Sequence, residues 1–146
     1  MIERMNRIRS LGRRSSGRML AGWCLLVFIL SSVPGNRYPQ VRWEHADKLV
    51  HILLYIPVGF FAVIYFRQRQ LGVHLAWMFG VFYGFTDELH QLLVPRRSFS
   101  LGDIIADAAG VTVGIVVYFL LISLVLKRFT KPAVFCPNNS ESVEIS

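Results

Sequence analysis

The chain has 146 residues, of which 53% are hydrophobic, with a mean hydropathy of +0.45 and a formal charge of +7. This composition is too apolar for a soluble domain of this length and is typical of a small helical membrane protein. The positive charge flanks apolar segments and forms no basic patch with interleaved aromatic residues, so we expect no nucleic-acid partner. The two cysteines, Cys24 and Cys136, do not predict a disulfide framework.

The N-terminal segment, residues 1–17, is basic and contains serine and glycine, which predicts a mobile cytoplasmic segment. The apolar run that follows, from Met19 to Val33, is short for a helix that spans a hydrocarbon core about 30 Å thick. A basic flank, a short apolar run and the pair Ser31-Ser32 also describe a signal peptide. We favour an uncleaved anchor, because cleavage would remove the helix that sets the orientation of the others.

Three further apolar segments predict helices over 47–66, 72–94 and 102–126. The first of them contains Pro57, which leaves the carbonyl of Leu53 without its helical donor and predicts a bend. The predicted fold is therefore all-α and polytopic, with four transmembrane helices in a membrane domain over residues 18–128.

The connections between these helices are polar. A loop with proline, glycine and asparagine runs from Pro34 to Ala46, a tight basic turn covers 67–70, and a short loop begins at Pro95. The segment 129–146 is polar and predicts a disordered tail.

The distribution of lysine and arginine sets the orientation. With the N-terminus inside, the cytoplasmic side carries eleven of these residues and the outer side carries five. The positive-inside rule therefore predicts that both termini are cytoplasmic in a multi-pass protein of the plasma membrane. The two longer loops, which contain Arg37 and Arg97, then face outward.

Each of the last three predicted helices carries a stripe at spacings of three and four that is polar at its outer end and small further in. The stripes are Asp47, His51, Tyr55 and Gly59; Gln91, Glu88, Gly84, Gly80 and Ala76; and Asp103, Asp107, Gly110 and Gly114. Residues at these spacings share a helix face, and small residues let helices approach closely in lipid. The stripes therefore predict packed seams whose polar ends converge in one cluster beneath the outer surface.

The candidate ligand-binding residues belong to this cluster or border it. They are Asp47, Lys48, His51, Tyr55, Glu88, Gln91, Arg97, Asp103 and Asp107. Ionisable groups in membrane segments cost about 2.5–3.5 kcal/mol each on insertion scales and therefore indicate function. The alternative is that the cluster is structural: its polar groups would hydrogen-bond to one another across helices, and Lys48 or Arg97 would neutralise Glu88 or Asp103. Two or three polar residues would suffice for that purpose, so we favour a functional site.

Two neighbours of Glu88 lie outside the stripe. Asp87 is one position away, and we expect it to pair with Arg96. His90 is about 200° around the helix from Glu88, so it faces away from the seam.

Three motifs in order resemble the VanZ-like family of small integral membrane proteins. They are Asp47-Lys48-x-x-His51-x-x-x-Tyr55-x-x-x-Gly59, Glu88-x-x-Gln91 followed by Pro95-x-Arg97-Ser98-Phe99, and Asp103-x-x-x-Asp107-x-x-Gly110-x-x-x-Gly114. The resemblance covers about residues 43–120. At the position of Asp107 that family usually has asparagine, and the extra carboxylate would permit cation binding. The resemblance implies a membrane protein of the cell envelope, and founding members are associated with low-level resistance to teicoplanin, a lipoglycopeptide antibiotic.

Three functions remain open. The favoured one is a non-enzymatic protein that binds a lipid headgroup, a lipid-linked cell-envelope precursor or an amphipathic glycopeptide antibiotic, with Arg97 holding an anionic group. The second is an intramembrane enzyme that acts on a lipid headgroup, with His51 as a base oriented by Asp47. Glu88 and Asp103 would then act as acid or metal ligands. The third is a small ion-coupled transporter, for which a homo-oligomer would form the path.

The sequence contains neither a Gly-x-Ser-x-Gly nucleophile motif nor a His-x-x-x-His pair. We therefore predict no cofactor and no metal site, and we favour a protein that is not an enzyme.

Overall fold

Four α-helices make up most of the chain that the computed structural model describes, namely residues 2–35 and 46–129, with side chains for 14–35 and 46–128. The helices are α1 (Ile2–Ser31), α2 (Ala46–Arg67), α3 (Val73–Gln91) and α4 (Leu101–Phe129). These residues include no strand, which confirms the all-α prediction. Most of the predicted loop 34–46 and the predicted tail from residue 130 lie outside the described residues.

The start of α1, the end of α3 and the end of α4 differ from the prediction by three residues or more. Helix α1 begins at Ile2, inside the basic segment, because the arginine, methionine and leucine residues there are good helix formers that extend the apolar helix. Helix α3 ends at Gln91, before Val94, because Pro95 disfavours helical backbone at the residue that precedes it. The tight turn predicted between α2 and α3 is present at residues 68–70.

Helix α2 is central and packs most extensively against α4. A Cβ atom at Gly110 of α4 would lie 2.5 Å from the carbonyl oxygen of Ile52, and one at Gly114 would overlap the carbonyl of Ile56. A Cβ atom at Gly59 of α2 would likewise overlap the backbone of Val111. The two helices therefore meet backbone to backbone along the glycine stripes, as close packing in lipid requires.

Helix α1 is attached to the other helices by hydrogen bonds to backbone carbonyls. The indole nitrogen of Trp23 donates to the carbonyl of Leu54 at 2.9 Å, one residue from the carbonyl that Pro57 leaves without a helical donor. The hydroxyl of Tyr83 on α3 donates to the carbonyl of Cys24 at 2.6 Å. These bonds place α1 against α2 and α3, away from the α2–α4 seam.

The polarity of the bundle is reversed relative to a soluble protein. Large apolar side chains cover its surface; Phe82 is 67% exposed and Ile105 is 70% exposed, whereas Glu88 and Asp107 are fully buried. Two helices, α2 and Leu101–Arg128 of α4, are long and apolar enough to cross a membrane. Helix α3 is not one of these two helices; its 19 residues include both Asp87 and Glu88. The helix count matches the prediction, and length and composition alone support two of the four predicted spans.

Candidate functional site

The polar ends of three helices meet at one end of the bundle. Helix α2 contributes its first three turns, α4 its first two turns and α3 its last turn. Six of the nine predicted site residues are buried there: His51, Tyr55, Glu88, Gln91, Asp103 and Asp107. We call these six residues and Lys48 the polar cluster. The convergence expected from the stripe spacing is therefore present in the structure.

His51 lies at the centre of the polar cluster. Its Nδ1 atom is 2.9 Å from Oδ1 of Asp107 and 4.0 Å from Oε1 of Glu88. When the carboxylate of Asp107 is ionised it can only accept a hydrogen bond, so a neutral His51 then donates from Nδ1 and keeps the lone pair on Nε2.

The expected pairing of His51 with Asp47 is wrong. Asp47 is exposed and lies 3.6 Å from Lys48, while Asp107 of α4 holds the imidazole. Asp47 occupies the first turn of α2 and remains in contact with solvent, so it gains little by turning inward. His51 is thus oriented across the α2–α4 seam.

Lys48 and Asp103 form an ion pair at the edge of the cluster. The Nζ atom of Lys48 is 3.1 Å from Oδ1 of Asp103, which is one of the neutralising pairs of the structural alternative that the sequence leaves open. The lysine side chain is 38% exposed, whereas the aspartate side chain is 10% exposed. The pair therefore separates the buried part of the cluster from the surroundings of the bundle.

Glu88 is held by the start of α4. The backbone amide of Ser100 donates to Oε2 of Glu88 at 2.9 Å, and Oγ of Ser100 accepts from the amide of Asp103 at 3.3 Å. Ser100 is thus the N-cap of α4, and Glu88 from α3 takes the amide that a residue of the same helix accepts in a capping box. This arrangement leaves the carboxylate of Asp103 available to Lys48.

Three buried oxygen atoms of the cluster have no hydrogen-bond partner among the described residues. They are Oη of Tyr55, Oε1 of Glu88 and Oδ2 of Asp107. A buried polar atom without a partner costs about 1–3 kcal/mol, and native structures rarely retain several in one place. These three oxygen atoms are therefore available to a polar ligand or an ion.

Glycine makes room for one of these atoms. A Cβ atom at Gly84 of α3 would lie 2.8 Å from Oδ2 of Asp107. The small residues of the α3 stripe thus serve the polar cluster as well as the helix packing.

A second polar network adjoins the polar cluster through Gln91 and extends to α1. Ser31 of α1 donates to Oδ1 of Asp87 at 2.6 Å, and the side-chain amide of Gln91 donates to Oδ2 at 3.3 Å. The expected pairing of Asp87 with Arg96 is therefore wrong, because Asp87 is buried against α1. Sequence reasoning missed Ser31, since a contact between distant helices leaves no local pattern. Ser100 could have been found from its capping-box spacing to Asp103.

Arg97 lies, half-buried, in the connection between α3 and α4. Its backbone amide donates to the carbonyl of Val94 at 3.1 Å, which closes the turn after α3. This turn places the arginine on the same end of the bundle as the polar cluster.

Part of the polar cluster has the donors of a cation site. Ligand atoms of His51, Glu88 and Asp103 all lie within 4.8 Å of one another. One imidazole nitrogen with carboxylate oxygens is a donor set that divalent metals accept.

The sequence model of the VanZ/LLP1 family matches residues 18–123. The chain belongs to the VanZ/LLP1 family. The matched region starts in α1 and ends in α4, so it contains the whole polar cluster and extends beyond the predicted range of 43–120 at both ends. VanZ/LLP1 proteins are membrane proteins, in agreement with the two apolar helices found here. Searches of curated proteins and of solved structures gave no match.

Proposed function

We propose that this VanZ/LLP1 protein crosses the plasma membrane four times, with both termini in the cytoplasm, and binds a polar headgroup in its polar cluster at the outer membrane face. The ligand would be a membrane lipid, a lipid-linked precursor of the cell envelope or an amphipathic glycopeptide antibiotic. The distribution of eleven positive residues on one side and five on the other supports this orientation.

One observation carries the proposal: buried polar atoms without partners lie at one end of a bundle that is apolar outside. Glu88 Oε1 and Asp107 Oδ2 can each accept a hydrogen bond from a hydroxyl or ammonium group of a headgroup. Lys48 and Arg97, on the same end, supply positive charge for a phosphate or carboxylate. A molecule with an apolar tail and a polar head matches both surfaces.

A second candidate function is supported by the pair of His51 and Asp107. An imidazole that a buried carboxylate orients at 2.9 Å is suited to general base catalysis, and Glu88 lies 4.0 Å away as a potential proton donor. The protein would then be an enzyme that acts on the headgroup it binds.

The full-length protein, extracted in mild detergent, provides the test. We expect mass spectrometry of the co-purified lipids to show one headgroup class enriched over the total membrane extract. Glu88→Gln and Arg97→Ala should remove the enrichment while the folded yield stays near normal. Arg128→Ala is the matched control for Arg97→Ala, because this exposed arginine lies at the last turn of α4, at the opposite end of that helix from the polar cluster.

Equal lipid profiles for all four proteins would refute headgroup binding. Unstable single variants whose stability returns in the Glu88→Gln/Arg97→Ala double variant would show that the pair is structural. If the enriched lipid changes mass on incubation with the protein, and His51→Gln prevents the change, the enzymatic function is the correct one.

A further inference from the structure

Three potential metal ligands come from three different helices and meet in the polar cluster. His51 is on α2, Glu88 on α3 and Asp103 on α4, and their ligand atoms lie within 4.8 Å of one another. Ligands at about 2.1 Å from a tetrahedral zinc ion are about 3.4 Å apart. The three side chains would therefore have to move together by up to roughly 1.4 Å to reach that spacing. No sequence motif predicts these three ligands, because each ligand is on a separate helix.

The state of Glu88 points to a ligand. Its side chain is fully buried, and Oε1 lacks a hydrogen-bond partner while it lies 4.0 Å from the imidazole of His51. A buried carboxylate is costly unless a cation or hydrogen-bond donors compensate its charge. Ser100 satisfies the other oxygen, Oε2, so that Oε1 remains directed into the cluster.

Asp107 lies where a carboxylate commonly orients a metal-bound histidine. Metal-bound histidines usually donate their second ring N–H to a carboxylate or carbonyl, which fixes the ring and its tautomer. The carboxylate of Asp107 is in this position, 2.9 Å from Nδ1 of His51. Because Nδ1 is also the nitrogen that lies 4.0 Å from Oε1 of Glu88, binding through Nε2 requires the imidazole to reorient toward Glu88 and Asp103.

From these contacts we propose that His51, Glu88 and Asp103 bind one divalent transition-metal ion, with zinc preferred. A nitrogen and two carboxylate oxygens are typical of zinc or manganese sites, whereas calcium and magnesium prefer oxygen ligands throughout. Zinc binds more tightly than manganese to a given site. With three protein ligands, the ion keeps a fourth position for water or for an anionic group of a ligand. The metal site does not depend on headgroup binding.

Lys48 allows a test that distinguishes metal binding from headgroup binding, because it competes with the metal for the carboxylate of Asp103. Its Nζ atom is 3.1 Å from Oδ1 of Asp103, so the lysine and the ion share one carboxylate. Replacing Lys48 with glutamine should therefore tighten metal binding. If the cluster bound only an anionic headgroup, the same substitution would weaken binding of that headgroup and leave zinc affinity unchanged.

The experiment uses the full-length protein in mild detergent, purified with a tag that contains no histidine and then treated with a chelator. Zinc is titrated by calorimetry, and elemental analysis after desalting gives the stoichiometry. We expect one zinc per chain and a thermal unfolding temperature that rises with zinc, because only the folded site holds the ion.

The variants should differ in their affinity for zinc. Glu88→Gln and Asp103→Asn should abolish stoichiometric binding, and Asp107→Asn should weaken it by about 10–100-fold. Lys48→Gln should strengthen it, and His74→Gln, at an exposed position in the first turn of α3 and away from the polar cluster, should not change it.

Absence of stoichiometric zinc and of a zinc-dependent rise in unfolding temperature in the unsubstituted protein would overturn the proposal, even if some variants fail to fold. Zinc binding that survives both Glu88→Gln and Asp103→Asn would overturn it as well. Because no lipid is required in the titration, a negative lipid experiment leaves the metal site standing, and a negative titration leaves headgroup binding standing.

Discussion

Replacement of Gly110 by alanine tests the central packing of the bundle with a single methyl group. A Cβ atom at this position would lie 2.5 Å from the carbonyl oxygen of Ile52 and 2.9 Å from Cβ of Tyr55. The first distance is about 0.9 Å shorter than an ordinary van der Waals contact, and the obstructing atom belongs to the backbone. Side-chain rotation cannot relieve this overlap, so α2 and α4 have to move apart.

The expected loss of stability follows from two opposing terms. Overpacking costs typically about 1–3 kcal/mol, while alanine gains about 0.5–1 kcal/mol over glycine within a helix. Gly22 on α1 provides the matched control, because a Cβ atom there meets nothing within 4 Å. Gly110→Ala should therefore destabilise the protein, and Gly110→Leu and Gly114→Leu should do so more strongly. Gly22→Ala should not.

Thermal unfolding in detergent measures the difference. A change of 1 kcal/mol corresponds to roughly 2–4 °C for a domain of this size, so we expect Gly110→Ala to unfold several degrees below Gly22→Ala. Val116 is 50% exposed, and Val116→Leu should leave the unfolding temperature unchanged. Equal unfolding temperatures for the two alanine variants would show that α2 and α4 do not meet at Gly110.

Two further predictions concern the orientation of the chain and the attachment of α1. A reporter fused after Arg128 should be cytoplasmic and one inserted next to Asn36 should be external, because the positive residues are distributed eleven to five; an external reporter after Arg128 would contradict the proposed orientation. Ser31→Ala removes the donor at 2.6 Å from the buried carboxylate of Asp87 and should lower the free energy of unfolding by about 1–3 kcal/mol, whereas Ser32→Ala, at a less buried position, should have a smaller effect.

The parts of the fold that follow a helical period could be predicted from the sequence. The three stripes placed Tyr55, Glu88 and Asp107 on buried faces, and the glycine pattern identified the side of α4 that meets α2. Each inference needed only the rule that residues three or four apart share a helix face.

Partners across helices could not be predicted in the same way. The sequence prediction pairs His51 with Asp47, four residues away on the same helix, and does not consider Asp107 as its partner. The distance between α2 and α4 decides the matter, since their close approach brings Asp107 to 2.9 Å from the imidazole. The same reason applies to Asp87, whose partner Ser31 is 56 residues away in the chain.

The pairing of α2 with α4 has a consequence for how the protein is made. The two helices that share the largest interface are separated in the chain by α3, and the polar cluster takes side chains from all three. In a bundle that crosses the membrane as proposed, His51 is synthesised before Asp107, which holds it, and Glu88 is synthesised before Ser100, whose amide donates to it. The cluster is completed only when the last helix arrives. With the four proposed spans, a chain truncated before α4 would leave His51 and Glu88 in the membrane without these partners, and we expect membrane quality-control proteases to degrade it.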